Sequence, residues 1–339
     1  MGKRSVAVLA GAIVIMLLLT LLSSPDPAPQ SGPLGVAVLP DIRGHLGDVE
    51  ALHIKSPDAT VSLLRQADQW QVAQRWGYSA DRGQVVQLLR DLADMNFVEQ
   101  KTSSPQYLPN LGLAATDAAE GAATAMEIKA GKHTWALLIG NEPAERAGQY
   151  LRLAGQNQAW LVDKSLAVSA APAAWLAPVI LNVDAELITA VTLSQPGAAE
   201  VNISSVSDNA GEIQNARVTN LPSGATLKYP GVADEPTRAL VNLRLQDVQP
   251  FANLDWQGAA SAQFDLTADR TLLIRVVEVE SGYWLAVSLG SEFTPADRLS
   301  LGLHEDIEDW AYKLSPYHYQ QFTRSLADFL AEPDQPVEG

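Results

Sequence analysis

Apolar and polar residues alternate around Leu52, His53 and Ile54, the chain turns at Pro57, and the alternation resumes with Val61 and Leu63. Period-two alternation broken by Pro, Gly or Asp predicts a strand meander with one buried face. The same arrangement returns around Val191, Thr192 and Leu193, turns at Pro196, and resumes with Val201 and Ile203; Val191 stands 139 residues after Leu52. After the first meander, Val85, Leu88, Leu89 and Leu92 in the stretch Asp81–Asp94 have the spacing of an amphipathic helix, with Asp81 as its N-cap. In the second half Pro236 suits a first helical turn, and Leu240, Val241, Leu245 and Val248 follow on a helix-like stripe. Further strands are predicted at Met126–Ile128, Trp135–Ile139, Tyr150–Leu153 and Trp160–Val162, and again at Phe264–Leu266, Leu272–Val279 and Tyr283–Val287. Ser103–Glu120 is a long loop in the first half only. A closing helix is predicted from Ser315 as N-cap and Pro316, with Tyr319, Phe322, Leu326, Phe329 and Leu330 on one stripe.

At the N-terminus, Lys3 and Arg4 precede an uncharged apolar run from Val6 to Leu22. Some twenty positions there can be helical, roughly what a bilayer crossing requires. A cleaved signal peptide is the competing reading, disfavoured by the long apolar stretch and the lack of an A-x-A site before Pro25. The basic flank places the remaining chain on the outer side of the membrane. Ser23–Gly35 holds four prolines and reads as a semi-rigid stalk.

These patterns give an α+β fold class: an N-terminal transmembrane helix followed by two similar antiparallel-sheet-plus-helix units, read as an internal duplication. The bland alternative is that α+β chains repeat strand–helix–strand stretches without common descent. The expected organisation is an anchor at 1–24, a stalk at 25–45, a first unit at 46–185, a second unit with the closing helix at 186–332, and a disordered tail at 333–339.

Composition narrows the function. The 339 residues carry 23 Lys+Arg against 39 Asp+Glu, a net charge of −16, which disfavours nucleic acid as a partner. With no cysteine, disulfides, thiolate metal sites and Cys nucleophiles are excluded. Gly131-Lys132 lacks the remainder of a phosphate loop, and no dinucleotide fingerprint or nucleophile elbow is found. His304-Glu305-Asp306-Ile307-Glu308 has Glu where a zinc helix needs its second His. His45, His53, His133, His304 and His318 stand at no ligand spacing, and solvent-facing strand positions account for His53 and His133. Asn202-Ile203-Ser204 is a glycosylation sequon by pattern only. No catalytic, cofactor or metal residues are assigned. The densest signal is aromatic: Trp310, Tyr312, Tyr317 and Tyr319, with Phe322 and Phe329, form either a partner-docking patch or the packing face of the last helix.

Several segments, in order, resemble a bacterial family: Val49–Ile54, Trp70-Gln71-Val72, Ala80-Asp81, Leu111-Gly112-Leu113, Ile139-Gly140, Tyr150-Leu151-Arg152 and Trp310-Ala311-Tyr312. The chain is similar, over most of its length after the stalk, to domain-of-unknown-function family 4340. One departure is the absent proline in Ala114–Ala118. The resemblance implies one membrane helix, a periplasmic body, and association with ABC-type transporter components or gliding-motility-type auxiliary proteins. It supplies no catalytic residues and no cofactor.

Together these readings lead to an expectation: a non-catalytic accessory protein, single-pass in the bacterial inner membrane, meeting an ABC-type permease/ATPase through protein contacts. The alternative is a periplasmic module binding an envelope glycan or peptide, for which an exposed Trp70, Trp135, Trp160 or Trp284 in a groove would speak. A hydrolase is the third reading, resting only on the surplus of carboxylates.

Overall fold

The computed structural model describes residues 35–207 and 213–331. The anchor read over 1–24, the first part of the stalk and the tail at 333–339 lie outside the described residues. Among the described residues no helix is long and apolar enough to cross a membrane. The chain divides into two compact units between Trp175 and Leu176.

In the first unit the strands are β1 (Val49–Lys55), β2 (Thr60–Gln66), β3 (Gln69–Val72), β4 (Tyr78–Ser79), β5 (Phe97–Gln100), β6 (Thr124–Ala130), β7 (His133–Ile139), β8 (Gln149–Leu153) and β9 (Trp160–Val162). They form one antiparallel sheet in the order β4-β3-β2-β1-β6-β7-β8-β9-β5. Register puts Leu52 beside Leu63 and Ile128, and Met126 beside Leu137, so alternate residues make one buried face. Helix α1 (Arg82–Asp94) follows the predicted stripe, burying Val85, Leu88, Leu89 and Leu92, and the Asp81 carboxylate accepts from the Gln84 amide.

Residues 36–45, read as the end of the stalk, belong to this unit. Ala37 bridges Asn96, and Val38, Leu39 and Ile42 are buried. The loop after β5 bears leucines that fold back on the sheet. Leu108 and Leu113 join Ala123 and Ala159 in a buried cluster, with Leu111, Leu138 and Tyr150 packed against it.

The second unit contains β10 (Val179–Leu181), β11 (Ile188–Ser194), β12 (Val201–Ser207), β13 (Ile213–Val218), α2 (Asp234–Thr237), β14 (Leu243–Arg244), β15 (Asp247–Pro250), β16 (Ala260–Leu266), β17 (Arg270–Val279), β18 (Gly282–Leu289), α3 (Pro295–Ser300), β19 (Trp310–Leu314), α4 (Pro316–Phe322) and α5 (Leu326–Phe329). Strands β10 and β14 pair with each other, and the others form the sheet β13-β12-β11-β16-β17-β18-β19-β15. All of these ladders are antiparallel.

Two predicted helices come out differently. The second-half helix is a single turn, α2; of the stripe beyond it, Leu240 and Val241 lie in turns, Leu245 lies between the short strands, and Val248 on β15 pairs with Tyr312. Apolar residues three and four apart suit a helix face, but here they are divided among turns and the start of a short strand. The closing helix is two. Ser315 caps α4 by accepting from the His318 amide, but Ser325 and Asp328 form a capping box that begins α5 afresh. Buried Phe322, from α4, meets Phe264 of β16 edge-on at 6.2 Å.

The two sheets follow one plan: two strands laid outward from the first on one side, four laid outward on the other, and the post-helix strand on the far edge. In the first unit β4 extends the near edge. The pairing of β1 with β6 slips between Val49 and Ala51, and that of β11 with β16 slips between Ile188 and Ala190. Gly148 before β8 and Gly282 opening β18 have φ of 115° and 118°.

Candidate functional site

The aromatic segment divides. Trp310 and Tyr312 lie on β19 and are buried; the Trp310 indole donates to Asp306, and the Tyr312 hydroxyl to the Ile307 carbonyl. Tyr317, in the first turn of α4, is 63% exposed. Tyr319 stacks on Tyr283 at 4.3 Å, and its pKa is raised by burial and by the nearby Glu278 charge. Of the four residues read as a docking patch, Tyr317 and Tyr319 therefore reach the surface, while the β19 pair packs the sheet.

Burial also sorts the tryptophans. Trp70, Trp160 and Trp284 are buried. Trp135, near the β6–β7 hairpin, is half-buried beside two imidazoles. His45 and His133 stack with centroids 4.0 Å apart, and Trp135 lies 6.0 Å and 5.9 Å from them. His45 comes from the turn preceding β1 and His133 from the start of β7, so the fold joins residues whose sequence spacing carries no signal. Together with Asp48, Glu50 and Lys132 they line an open hollow of about 410 Å³. His45 Nδ1 stands 3.6 Å from an Asp48 carboxylate oxygen. The rings lie face to face rather than converging on a point, and among the described residues no group of three or more His, Asp or Glu is placed to hold a metal ion. The hollow can stack a flat or ring-shaped group while carboxylates and an ammonium take its polar atoms.

His53 corrects a sequence expectation. It is buried on β1, not solvent-facing, and its Nδ1 lies 2.9 Å from Ser62 Oγ on β2. Gln74 also donates to Ser62, and Glu127, opposite His53 on β6, pairs with Lys129 at 3.0 Å. Burial above all, and then the Lys129 charge, lowers the His53 pKa, against the opposing pull of Glu127. Burial thus disfavours the charged imidazole, which serves as a hydrogen-bonding part of the sheet.

Other charges close on each other. The Tyr229 hydroxyl and the Arg324 guanidinium both donate to Glu235, holding its carboxyl below the usual range.

No curated protein and no solved structure matches the chain. One family does: a domain of unknown function, DUF4340, matches residues 70–267, from the start of β3 to just past β16. That match spans more than half the chain, crosses the division between the two units, and includes the Leu111-Gly112-Leu113, Ile139-Gly140 and Tyr150-Leu151-Arg152 segments. The chain belongs to the DUF4340 family.

Proposed function

We propose that the chain is a non-catalytic accessory protein, anchored through residues 1–24 in the bacterial inner membrane, with its body in the periplasm, acting by protein contacts in an ABC-type transport or envelope system. The observation that carries the reading is that large aromatic side chains stand out on each unit while several charged or polar groups are closed within the chain. Trp76, Tyr107 and Tyr317 are 45%, 52% and 63% exposed, whereas His53, Glu235 and Glu99 each have hydrogen-bonding partners within the chain. Exposed Trp and Tyr are the side chains that dominate protein interfaces.

The two units are read as products of one duplication, supported by their common strand order, the bulge in the same place and the glycines at the start of the corresponding strands. The experiment is crosslinking in intact cells, then purification in mild detergent and mass spectrometry. Recovery of an ATPase–permease pair in stoichiometric amounts is expected; recovery of the chain alone overturns the reading.

A second reading is favoured by the hollow beside Trp135: a module that binds an envelope glycan or peptide. Its test is titration with soluble peptidoglycan fragments while following Trp fluorescence. A saturable change that Trp135→Ala abolishes supports this reading, and no saturable change removes it.

A further inference from the structure

In each unit the connection that follows the far-edge strand crosses one face of the sheet, and the two units solve that crossing differently. In the first, the long β5–β6 connection lays Leu108, Leu111 and Leu113 over Leu138 and Tyr150, and Arg152 donates to the Leu113 carbonyl. Its polar contact with the sheet is made by a backbone oxygen of the covering segment.

In the second, the β15–β16 connection is short and brings Phe251 and Trp256, stacked 5.1 Å apart. Counting four residues on from each matched glycine gives Arg152, opposite Leu138, and Ala286, opposite Arg275. A guanidinium thus stands where the first unit has a leucine under its own loop.

Arg275 is costly as a structural residue. Its guanidinium lies 4.9 Å from the Phe251 ring centre and 5.9 Å from that of Trp256. Its Nε–H is buried without an acceptor, and Nη2 makes only a 3.4 Å bond to Ser288 Oγ. Although the chain has 39 carboxylate side chains, among the described residues none pairs with Arg275. A buried donor left unpaired destabilises a fold, whereas a rigidly stacked guanidinium is preorganised to take a carboxylate. Buried Ala286 and Ala311 keep the face low beside it, and Leu273 and Val277 leave it partly apolar.

We propose that this face of the second unit receives an acidic polypeptide segment of a partner protein, whose carboxylate binds the Nη end of Arg275 while its apolar residues lie against Phe251 and Trp256. The Arg275 guanidinium, which has no carboxylate partner among the described residues, selects the carboxylate. The first unit supplies the precedent for a polypeptide, since a chain segment covers the corresponding face there. This inference rests on the accessory reading and locates its contact.

The test uses the full-length chain in its native membranes, with a photo-crosslinking amino acid at Gln263, exposed on β16 of the same face, or in parallel at Tyr317. The expected result is a crosslink from Gln263 to a partner peptide containing Asp or Glu, reduced at least tenfold by Arg275→Leu. Arg275→Leu, which installs the first unit's residue, and Arg275→Gln should melt no lower than the parent. Capture from Tyr317 but not Gln263 overturns this inference alone. Capture from neither position removes the accessory reading with it. Crosslinks between two copies of the chain, insensitivity to both variants, or unfolding of both variants each overturn the proposal.

Discussion

His53 is opposite Ser62 on one side and Glu127 on the other, with the Lys129 ammonium nearby, and its pKa lies below that of a free imidazole. A neutral histidine in the fold and a protonated one in the unfolded chain make stability depend on pH. Stability held above about 6.5, the unfolded value, is lost as pH falls from there through the lower folded value, because the unfolded chain binds the proton first. His318, also lowered by burial, contributes with the same sign. Denaturant titrations at steps between pH 7.5 and 5 should therefore show falling stability for the parent and a shallower fall for His53→Gln. Equal slopes would mean that His53 is not the group responsible. Gly140 is a second residue-scale case. A Cβ there would overlap the Leu111 carbonyl oxygen and the Leu113 side chain, where Asn141 also bonds Leu111. Gly140→Ala should cost about 1–3 kcal/mol, as overpacked sites do, and a variant of unchanged denaturation midpoint would contradict the close approach.

Helix α1 shows what the pattern of residues conveys well. Its stripe was legible because four apolar positions repeat on one face over 13 residues and a carboxylate caps the start. Removing that cap with Asp81→Ala should destabilise the chain by about 1 kcal/mol, and Asp81→Asn by much less, since an amide oxygen also accepts from the Gln84 amide. Loss of equal size in both variants would assign the effect to charge instead of the cap. The strands of both meanders were legible for a similar reason, as alternation fixes which side faces the core. The second-half stripe misleads because Leu240, Val241, Leu245 and Val248 have helical spacing, yet the chain there runs through turns and two short strands held by pairing with β10 and β19. The break between α4 and α5 depends on Asp328 reaching back to Ser325, a local contact that competes with a continuous stripe. The meeting of His45 with His133 and Trp135, and the Arg275 face, are illegible in the sequence because each joins segments that the fold brings together from separate elements.

At the scale of the whole chain, the division between Trp175 and Leu176 leaves each unit with a complete sheet and its own buried side chains, Leu52, Leu63 and Met126 in one and Val191, Phe264 and Phe322 in the other. Each has the size of an ordinary domain, and a domain of that size buries enough apolar surface to fold alone. A unit copied by duplication must also have been a viable fold before it was joined to its twin, so the duplication reading and independent folding stand together. Residues 35–175 and 176–331, produced separately, should each unfold cooperatively with strand-rich circular dichroism. The first fragment has to begin no later than residue 35, because Val38, Leu39 and Ile42 are part of its core; a fragment starting at residue 46, where the proline-rich pattern suggests the fold begins, should melt lower. If 35–175 remains unfolded while the full chain is stable, the first unit is not self-sufficient, and descent from a single free-standing ancestor loses its physical basis.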